Sequence, residues 1–240
     1  MSPRQLTLPV TPRESFDLDL FFAGRNTEAL AAVQRTATGQ HPRLLLLHGP
    51  TGSGRTHLLQ GAVRAASAGG RSAAYVALAS AEVPAVLEGL EQCDLVCVDD
   101  IDAHSAQREW ALALLRLLDG LRMCGGAAVL TAAQLPENIP SALPDLTTRL
   151  SACAVYALKP LDDLERRALL QHRARARALD LTDEVADFLV RRLPRDGGSL
   201  MRALMLLDQA SLTEQRRLTL PFVQSQLAVL LPSNARTTEG

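Results

Sequence analysis

The chain has 240 residues, of which 47% are hydrophobic and 21% are charged. This composition supports one large or two small domains with an apolar core, and it excludes disordered and fibrous proteins. The formal net charge of −1 argues against a protein that holds DNA mainly by neutralising phosphates. No apolar run approaches the ~20 residues that a membrane helix requires, and the N-terminus lacks the apolar segment of a signal peptide. We therefore expect a cytoplasmic protein with no membrane association.

The first 159 residues are predicted to form a short arm followed by an α/β domain. Residues 1–13 contain three prolines and show no periodicity, which is typical of a flexible arm. Between residues 14 and 159, five short apolar runs alternate with amphipathic stretches, as in a parallel sheet covered by helices on both faces. The predicted strands are Leu44–His48, Ala73–Leu78, Leu95–Asp99, Ala127–Thr131 and Val155–Leu158.

A small all-helical domain is predicted over residues 160–231, and the polar residues 232–240 are expected to form a loose tail. Apolar residues recur at helical spacing in four segments, which are 162–179, 182–193, 199–213 and 219–230. Asp162 and Thr182 are predicted to cap the first two of these helices.

The segment between the first predicted strand and the next helix matches a phosphate-binding loop. It comprises Gly49, Pro50, Thr51, Gly52, Ser53, Gly54, Arg55 and Thr56. Its glycines let backbone N–H groups turn inward, and the helix N-terminus favours a polyphosphate. Arg55 stands where lysine is expected, so the loop predicts nucleotide binding more strongly than hydrolysis. Since Lys159 is the only lysine in the chain, a bias towards arginine could also explain Arg55, and a glycine-rich turn without a ligand is the alternative.

A second motif lies about 40 residues later, where an apolar strand ends in Asp99 and Asp100. Asp99 is predicted to bind Mg²⁺ through water, together with the hydroxyl of Thr56, while Asp100 orients the attacking water. The alternative is a polar end to a buried strand. Because a phosphate loop precedes it at the right distance, the nucleotide-site interpretation is favoured.

These motifs, with LPDLTTRL at 143–150 and LDQASLTEQRRLTLPFVQ at 207–224, resemble the DnaA/Hda family of AAA+ proteins over nearly the whole chain. The resemblance is stronger to the Hda branch, whose members also carry arginine in place of the loop lysine, and the end of the chain at Gly240 suits that branch. It implies an AAA+ module with a five-stranded parallel sheet and a helical lid. It also implies a bound ADP, or another adenine or cytidine nucleotide, with Mg²⁺. His57 belongs to the nucleotide-binding segment and is expected to pack or cap, and Phe16–Gly24 and the helix at Asn26 help to hold adenine.

Two further segments match motifs of this family. Arg149 falls at the position from which an arginine reaches the nucleotide of a neighbouring subunit, although a surface arginine is the alternative. The stretch Gln5, Leu6, Thr7, Leu8, Pro9 resembles the peptide that docks on the β sliding clamp of DNA polymerase III, with Leu6 and Leu8 in an apolar pocket and Gln5 at its rim. An ordinary proline-flanked arm is the alternative there.

Two polar positions of the family are altered in this sequence. The first sensor position falls on Ala133, and the second, in the lid, falls on Gly198. Arg195 and Arg202 flank Gly198 and are the candidates to reach the phosphates in its place. With Arg55 also replacing lysine, we expect the chain's own ATPase activity to be weak or absent.

The resemblance implies an Hda-like negative regulator of replication initiation that stimulates hydrolysis of DnaA-bound ATP while tethered to the DNA-loaded clamp. Its implied partners are DnaA and the clamp, with DNA contacted only indirectly, and a nucleotide-dependent homodimer is a further expectation. One alternative is an autonomous AAA+ ATPase. The other is a non-hydrolytic, clamp-tethered recruitment factor.

Several residues receive purely structural interpretations. Trp110 shares helical spacing with Leu114 and Leu117, which predicts a core position. The arginines between residues 166 and 177 are expected to form a solvated helix face. The four cysteines lie in or beside apolar segments without zinc-type spacing, and we expect them to be reduced and buried: Cys93, Cys97, Cys124 and Cys153.

Overall fold

The structure, a computed structural model, describes residues 16–230, with side chains described as far as residue 227. The predicted arm at 1–13, which includes Gln5, Leu6, Leu8 and Pro9, lies outside the described residues. So does the predicted tail at 232–240.

A five-stranded, all-parallel sheet forms the centre of the larger unit, as predicted. The strands lie in the order β2-β3-β4-β1-β5. The three inner strands are almost wholly buried because helices cover both faces, whereas the edge strand β5 alternates half-buried and exposed residues. The bounds are β1 Leu44–His48, β2 Ala73–Ala77, β3 Leu95–Asp99, β4 Ala127–Ala132 and β5 Ala154–Ala157, so three strands differ by one residue from prediction.

Four helices cover the sheet, two on each face. Helices α1 (Thr27–Ala37) and α2 (Arg55–Ala68) pack on one face, and α3 (Arg108–Cys124) and α4 (Pro144–Ser151) pack on the other. Trp110 is 4% exposed in the second of these cores and stacks on His104, which confirms its predicted core position.

Four more helices form a lid with an apolar core of its own. They are α5 (Asp163–Ala176), α6 (Asp183–Arg192), α7 (Gly197–Glu214) and α8 (Leu220–Leu230). Asp162 caps α5 and Thr182 caps α6, as predicted. Helix α7 begins two residues earlier than predicted because the Asp196 carboxylate accepts a hydrogen bond from the Ser199 N–H at 2.7 Å.

Arg166 is buried within the lid, with only 1% of the residue exposed. Its guanidinium donates to the carbonyl oxygens of Val190 at 2.9 Å, Leu193 at 3.1 Å and Pro194 at 2.7 Å. The Val190 carbonyl belongs to the last turn of α6, which the helix itself leaves without a partner, and the other two carbonyls follow directly after the helix. The expectation of a solvated arginine face is therefore wrong for this residue.

The N-terminal segment, residues 16–26, fixes the connection between the sheet and the lid. The Asn26 side chain donates to the Lys159 carbonyl at 2.9 Å and accepts from the Lys159 N–H at 2.8 Å. Arg25 donates to the Pro160 carbonyl at 2.9 Å and pairs with Glu165 of α5 at 3.1 Å. The chain therefore enters the lid along a path that residues 25 and 26 hold in place.

All four cysteines are free thiols. Cys97 and Cys153 are buried, as predicted, whereas Cys93 is only partly buried and Cys124 is exposed, contrary to prediction. In the part of the chain that the structure describes, no helix combines the length and the apolarity needed to cross a bilayer.

Candidate nucleotide-binding site

A cavity of about 400 Å³ lies where the phosphate loop, the N-terminal segment and the lid meet. Its walls come from residues of the N-terminal segment between Phe16 and Asn26, the loop residues 51–57, Asp100, and one face each of α5 and α7. Its volume falls in the range of small-molecule sites. Most of the predicted nucleotide-binding segment therefore faces one cavity.

The phosphate loop is shaped by glycines in left-handed conformations. Gly52 has φ +82° and Gly54 has φ +98°, which other residues adopt only with strain. A side chain at Gly52 would collide with Asp196 of the lid, and one at Gly54 would collide with the Phe21 ring. The hydroxyl of Ser53 is buried and has no hydrogen-bond partner among the described residues. Together with the N–H groups at the start of α2, this loop fits a polyphosphate.

Arg55 pairs with Asp100, so the structure brings together two predicted site residues. Their Nη2 and Oδ1 atoms are 2.9 Å apart, and only 11% of the Arg55 side chain is exposed. Burial raises the pKa of Asp100, the Arg55 charge lowers it, and the nearby Asp99 and Asp102 raise it further, leaving the pKa above its usual value. Arg55 Nη1 is buried without a hydrogen-bond partner in the described part of the chain. The guanidinium therefore has donor capacity left for a phosphate.

Asp99 is buried and forms the centre of a hydrogen-bond cluster at the ends of β3 and β4. It accepts from Thr56 Oγ1 at 2.7 Å, from the Tyr75 hydroxyl at 3.0 Å, and from Thr131 Oγ1. The Thr131 hydroxyl also accepts from the Asp100 N–H at 2.9 Å. Burial and the Asp99 charge raise the pKa of Tyr75 to about 12, so this phenol stays protonated and can donate.

Sequence reasoning missed Tyr75 and Thr131. Thr131 is the single polar residue of β4, and it lies at the carboxyl end of the strand, where the site of a parallel sheet is expected. That position could have identified it. Ala133, two residues on, offers no polar side chain, but its N–H donates to Asp102 at 2.9 Å.

We predict that Thr131→Val lowers the free energy of unfolding by about 1–3 kcal/mol, because the buried Asp99 carboxylate and Asp100 N–H each lose a partner. Urea unfolding measures the effect. Thr131→Ser keeps the hydroxyl and is the matched control, with a smaller loss expected. A valine variant as stable as wild type would contradict this role.

His57 lies between aromatic rings on the cavity wall. Its ring centroid is 5.4 Å from that of Phe16 and 5.5 Å from that of Phe21, and Nε2 lies 3.3 Å from the Asp17 carbonyl oxygen. Burial lowers the pKa of His57, which favours a neutral ring. His57 therefore packs the N-terminal segment against the start of α2.

The two lid arginines singled out from the sequence do not line this cavity. Arg195 is 83% exposed at its side chain and lies 3.7 Å from Asp163, and Arg202 is 62% exposed and lies 3.8 Å from Asp196. The cavity is lined instead by Arg173 and Arg177 of α5 and its C-terminal cap. Their spacing of three and four residues from apolar positions of α5 was the signal for an inward-facing stripe.

Arg149 lies on α4, outside the cavity of its own chain. Its Nη2 atom is 2.5 Å from Asp119 Oδ1 on α3, and 28% of its side chain is exposed. The guanidinium is therefore held at the surface by one carboxylate.

Two family models match the chain. Residues 45–153 match the ATPase family associated with various cellular activities (AAA), and residues 163–227 match the Hda lid domain. The chain belongs to the DnaA/Hda family of AAA+ proteins. Membership of this family makes it a DnaA-related replication regulator with a nucleotide-binding fold.

Solved structures share the fold of this DnaA/Hda-family chain. Domain III of DnaA from Thermotoga maritima has 18% identity and a TM-score of 0.76, covering 92% of this chain and 98% of that one. AMPPCP-bound DnaA from Aquifex aeolicus has 20% identity and a TM-score of 0.70, covering 84% and 70%. The RuvB Holliday junction branch migration motor of Thermotoga maritima has 15% identity and a TM-score of 0.65, covering 90% and 72%. These matches confirm the AAA+ α/β fold with a helical lid.

Proposed function

We propose that this chain is an Hda-type negative regulator of replication initiation, which supplies Arg149 in trans to DnaA-bound ATP while tethered to the β sliding clamp. The observation that carries the proposal, within this family, is the position of Arg149. It lies outside the chain's own cavity and is partly exposed on a surface helix. A guanidinium so placed is available to a nucleotide held by another subunit, where it stabilises charge on the transferring phosphoryl group.

The bound nucleotide in this proposal is ADP, or another adenine or cytidine nucleotide, with Mg²⁺. The turn at Gly52 and Gly54 and the buried Ser53 hydroxyl fit phosphate groups. Thr56 and Asp99, 2.7 Å apart, provide the oxygen ligands that Mg²⁺ prefers, and the bound ion would neutralise phosphate charge. Structural neighbours from the same fold were solved with AMPPCP, which supports this assignment of the cavity.

The chain's own hydrolysis is expected to be slow. Asp100, the carboxylate that would orient water, is paired with Arg55. Ala133 and Gly198 offer no polar side chain to the phosphates. In this proposal, a bound nucleotide therefore serves mainly to hold the lid and the sheet together. It also determines whether two copies of the chain form the proposed homodimer.

Clamp tethering rests on the sequence alone, since Gln5, Leu6, Leu8 and Pro9 lie outside the described residues. An extended peptide of this kind binds by placing its two leucines in an apolar pocket. Because the net charge of −1 gives little attraction to phosphates, the clamp is the proposed route by which the protein reaches DNA.

The test is conversion of radiolabelled DnaA–ATP to DnaA–ADP with and without DNA-loaded clamp. We predict clamp-dependent stimulation, which the double variant Gln5→Ala/Leu6→Ala reduces about tenfold while leaving nucleotide binding unchanged, because only the tether is lost. Thr7→Ala lies in the same peptide and is the matched control. Stimulation that is equal with and without clamp would overturn the tether, and no stimulation at all would overturn the proposed function.

A further inference from the structure

The lid lines the nucleotide cavity with one face of α5 and one face of α7. From α5 and its C-terminal cap come Leu169, Arg173 and Arg177, which are four residues apart and so lie on one stripe. From α7 come Gly197, Gly198, Met201 and Met205, again at helical spacing. The only cationic side chains among these lid residues are the two arginines.

The two stripes run outward side by side from the phosphate loop. At the inner end, Asp196 lies against Gly52, and a Cβ placed on Gly197 would be 3.9 Å from Leu169. At the outer end, Arg177 Nη1 is 3.5 Å from Asp208 Oδ2 of α7. Arg173 and Arg177 are therefore about one and two helical turns beyond Leu169, which is roughly 6 and 12 Å further along the helix axis.

The inner end of the lid is anionic. The Asp196 carboxylate lies there, and although burial raises its pKa, hydrogen bonds from Ser199 and the nearby Arg202 lower it below its usual value. Arg202 itself is 62% exposed and does not line the cavity. Among the lid residues that line the cavity, none next to the phosphate loop carries a positive charge.

Arg173 crosses the cavity to the N-terminal segment. Its Nη2 atom donates to the Leu20 carbonyl oxygen at 2.5 Å, and its charge contributes to the lowered pKa of His57. Leu20, Phe21 and Phe22 line the same part of the cavity. This wall of apolar and aromatic side chains suits a nucleoside rather than phosphates.

We infer that Arg173 and Arg177 hold the nucleoside half of the bound nucleotide, and that the phosphates receive no cation from the lid. The inference deepens the proposed function, since it rests on nucleotide binding in this cavity. Arg173 closes the lid over the nucleoside by its bond to Leu20. Arg177 contacts the base or ribose directly, because a planar guanidinium both stacks on rings and donates to ring and hydroxyl acceptors.

Equilibrium dialysis of the full chain with radiolabelled ADP tests this, with unlabelled adenosine and pyrophosphate as competitors. We expect Arg177→Ala to raise the Kd for ADP about tenfold and the inhibition constant of adenosine by a similar factor, with that of pyrophosphate unchanged. Arg177→Lys keeps the charge but loses the planar fork, and it should recover only part of the affinity. Arg175→Ala, on the same helix but outside the cavity lining, and Arg202→Ala are the controls, with changes below about twofold.

An Arg177→Ala protein that binds ADP as wild type does would overturn the inference, and so would an equal loss of affinity for pyrophosphate. Circular dichroism of each variant separates loss of binding from loss of the fold. A wild-type protein that binds neither ADP nor pyrophosphate would overturn the nucleotide site itself, along with the inference. Stimulation of DnaA–ATP hydrolysis is measured separately, so the two proposals fail in different assays.

Discussion

Arg149→Ala is expected to reduce stimulated hydrolysis of DnaA-bound ATP by about 10³-fold, because an arginine delivered in trans contributes that order to the rate of phosphoryl transfer. Binding of ADP by the variant should match wild type, since Arg149 does not line its own chain's cavity. Single-turnover conversion of DnaA–ATP, with this protein in excess and the clamp on DNA, measures the rate. Arg122→Ala, an exposed arginine on α3, is the matched control.

Substitution of Asp119, which pairs with Arg149, provides a second test of the same role. Asp119 pairs with Nη2 of the Arg149 guanidinium, so Asp119→Asn should loosen the arginine and lower the maximal rate by about five- to tenfold. In an Arg149→Ala background Asp119→Asn should have no further effect on the rate, because Asp119 acts only by positioning Arg149. An Arg149→Ala protein that keeps more than half of the stimulation would refute the role of this arginine.

The parallel sheet and the phosphate loop were predictable because each depends on local pattern. Strand β3 is a run of apolar residues ending in Asp99 and Asp100, and the glycines of the loop follow β1 directly. A carboxyl-terminal strand end and the start of a following helix meet at one edge of a parallel sheet, which places the two motifs together. The differences of one residue at the strand ends reflect hydrogen bonding to neighbours that the local sequence does not specify.

The cluster around Asp99 depends on which strands are neighbours. Thr131 reaches Asp99 because β4 lies between β3 and β1, and Tyr75 reaches it because β2 pairs with β3. Strand order follows from the packing of the whole domain, so no sequence motif near Asp99 predicts that Thr131 and Tyr75 are its partners. Only their places in otherwise apolar strands point towards the site.

The arginines of α5 show a second reason why the sequence alone did not predict the site. Arg166, Arg173 and Arg177 share one stripe of α5 with its apolar residues, yet the sequence interpretation placed them in solvent because arginine is usually exposed. Their surroundings differ along the stripe. Arg166 meets the end of α6, whereas the other two meet the cavity. Spacing could have identified the stripe, but only the packing of α6 and α7 determines what each arginine contacts.

Arg166→Ala is expected to lower the free energy of unfolding of the lid by about 3 kcal/mol, since three carbonyl oxygens in and directly after the last turn of α6 lose their donor, two of them in buried hydrogen bonds. Hydrogen exchange should show the loss in α5 to α7, with the sheet little changed. Arg167→Ala is the matched control. That arginine is the next residue and pairs with Asp183 and Asp187 at the surface, so only a small change is expected.

The effect of Arg166→Ala should extend to the nucleotide site. Arg166 holds the Pro194 carbonyl, and the residues that follow it, Asp196 to Gly198, form the cavity wall against Gly52. A loosened loop should weaken ADP binding, and saturating ADP should in turn restore part of the lost stability, because a ligand that binds only the folded lid stabilises it by mass action. Equal hydrogen exchange in the Arg166→Ala and Arg167→Ala proteins would show that the buried guanidinium does not secure this loop.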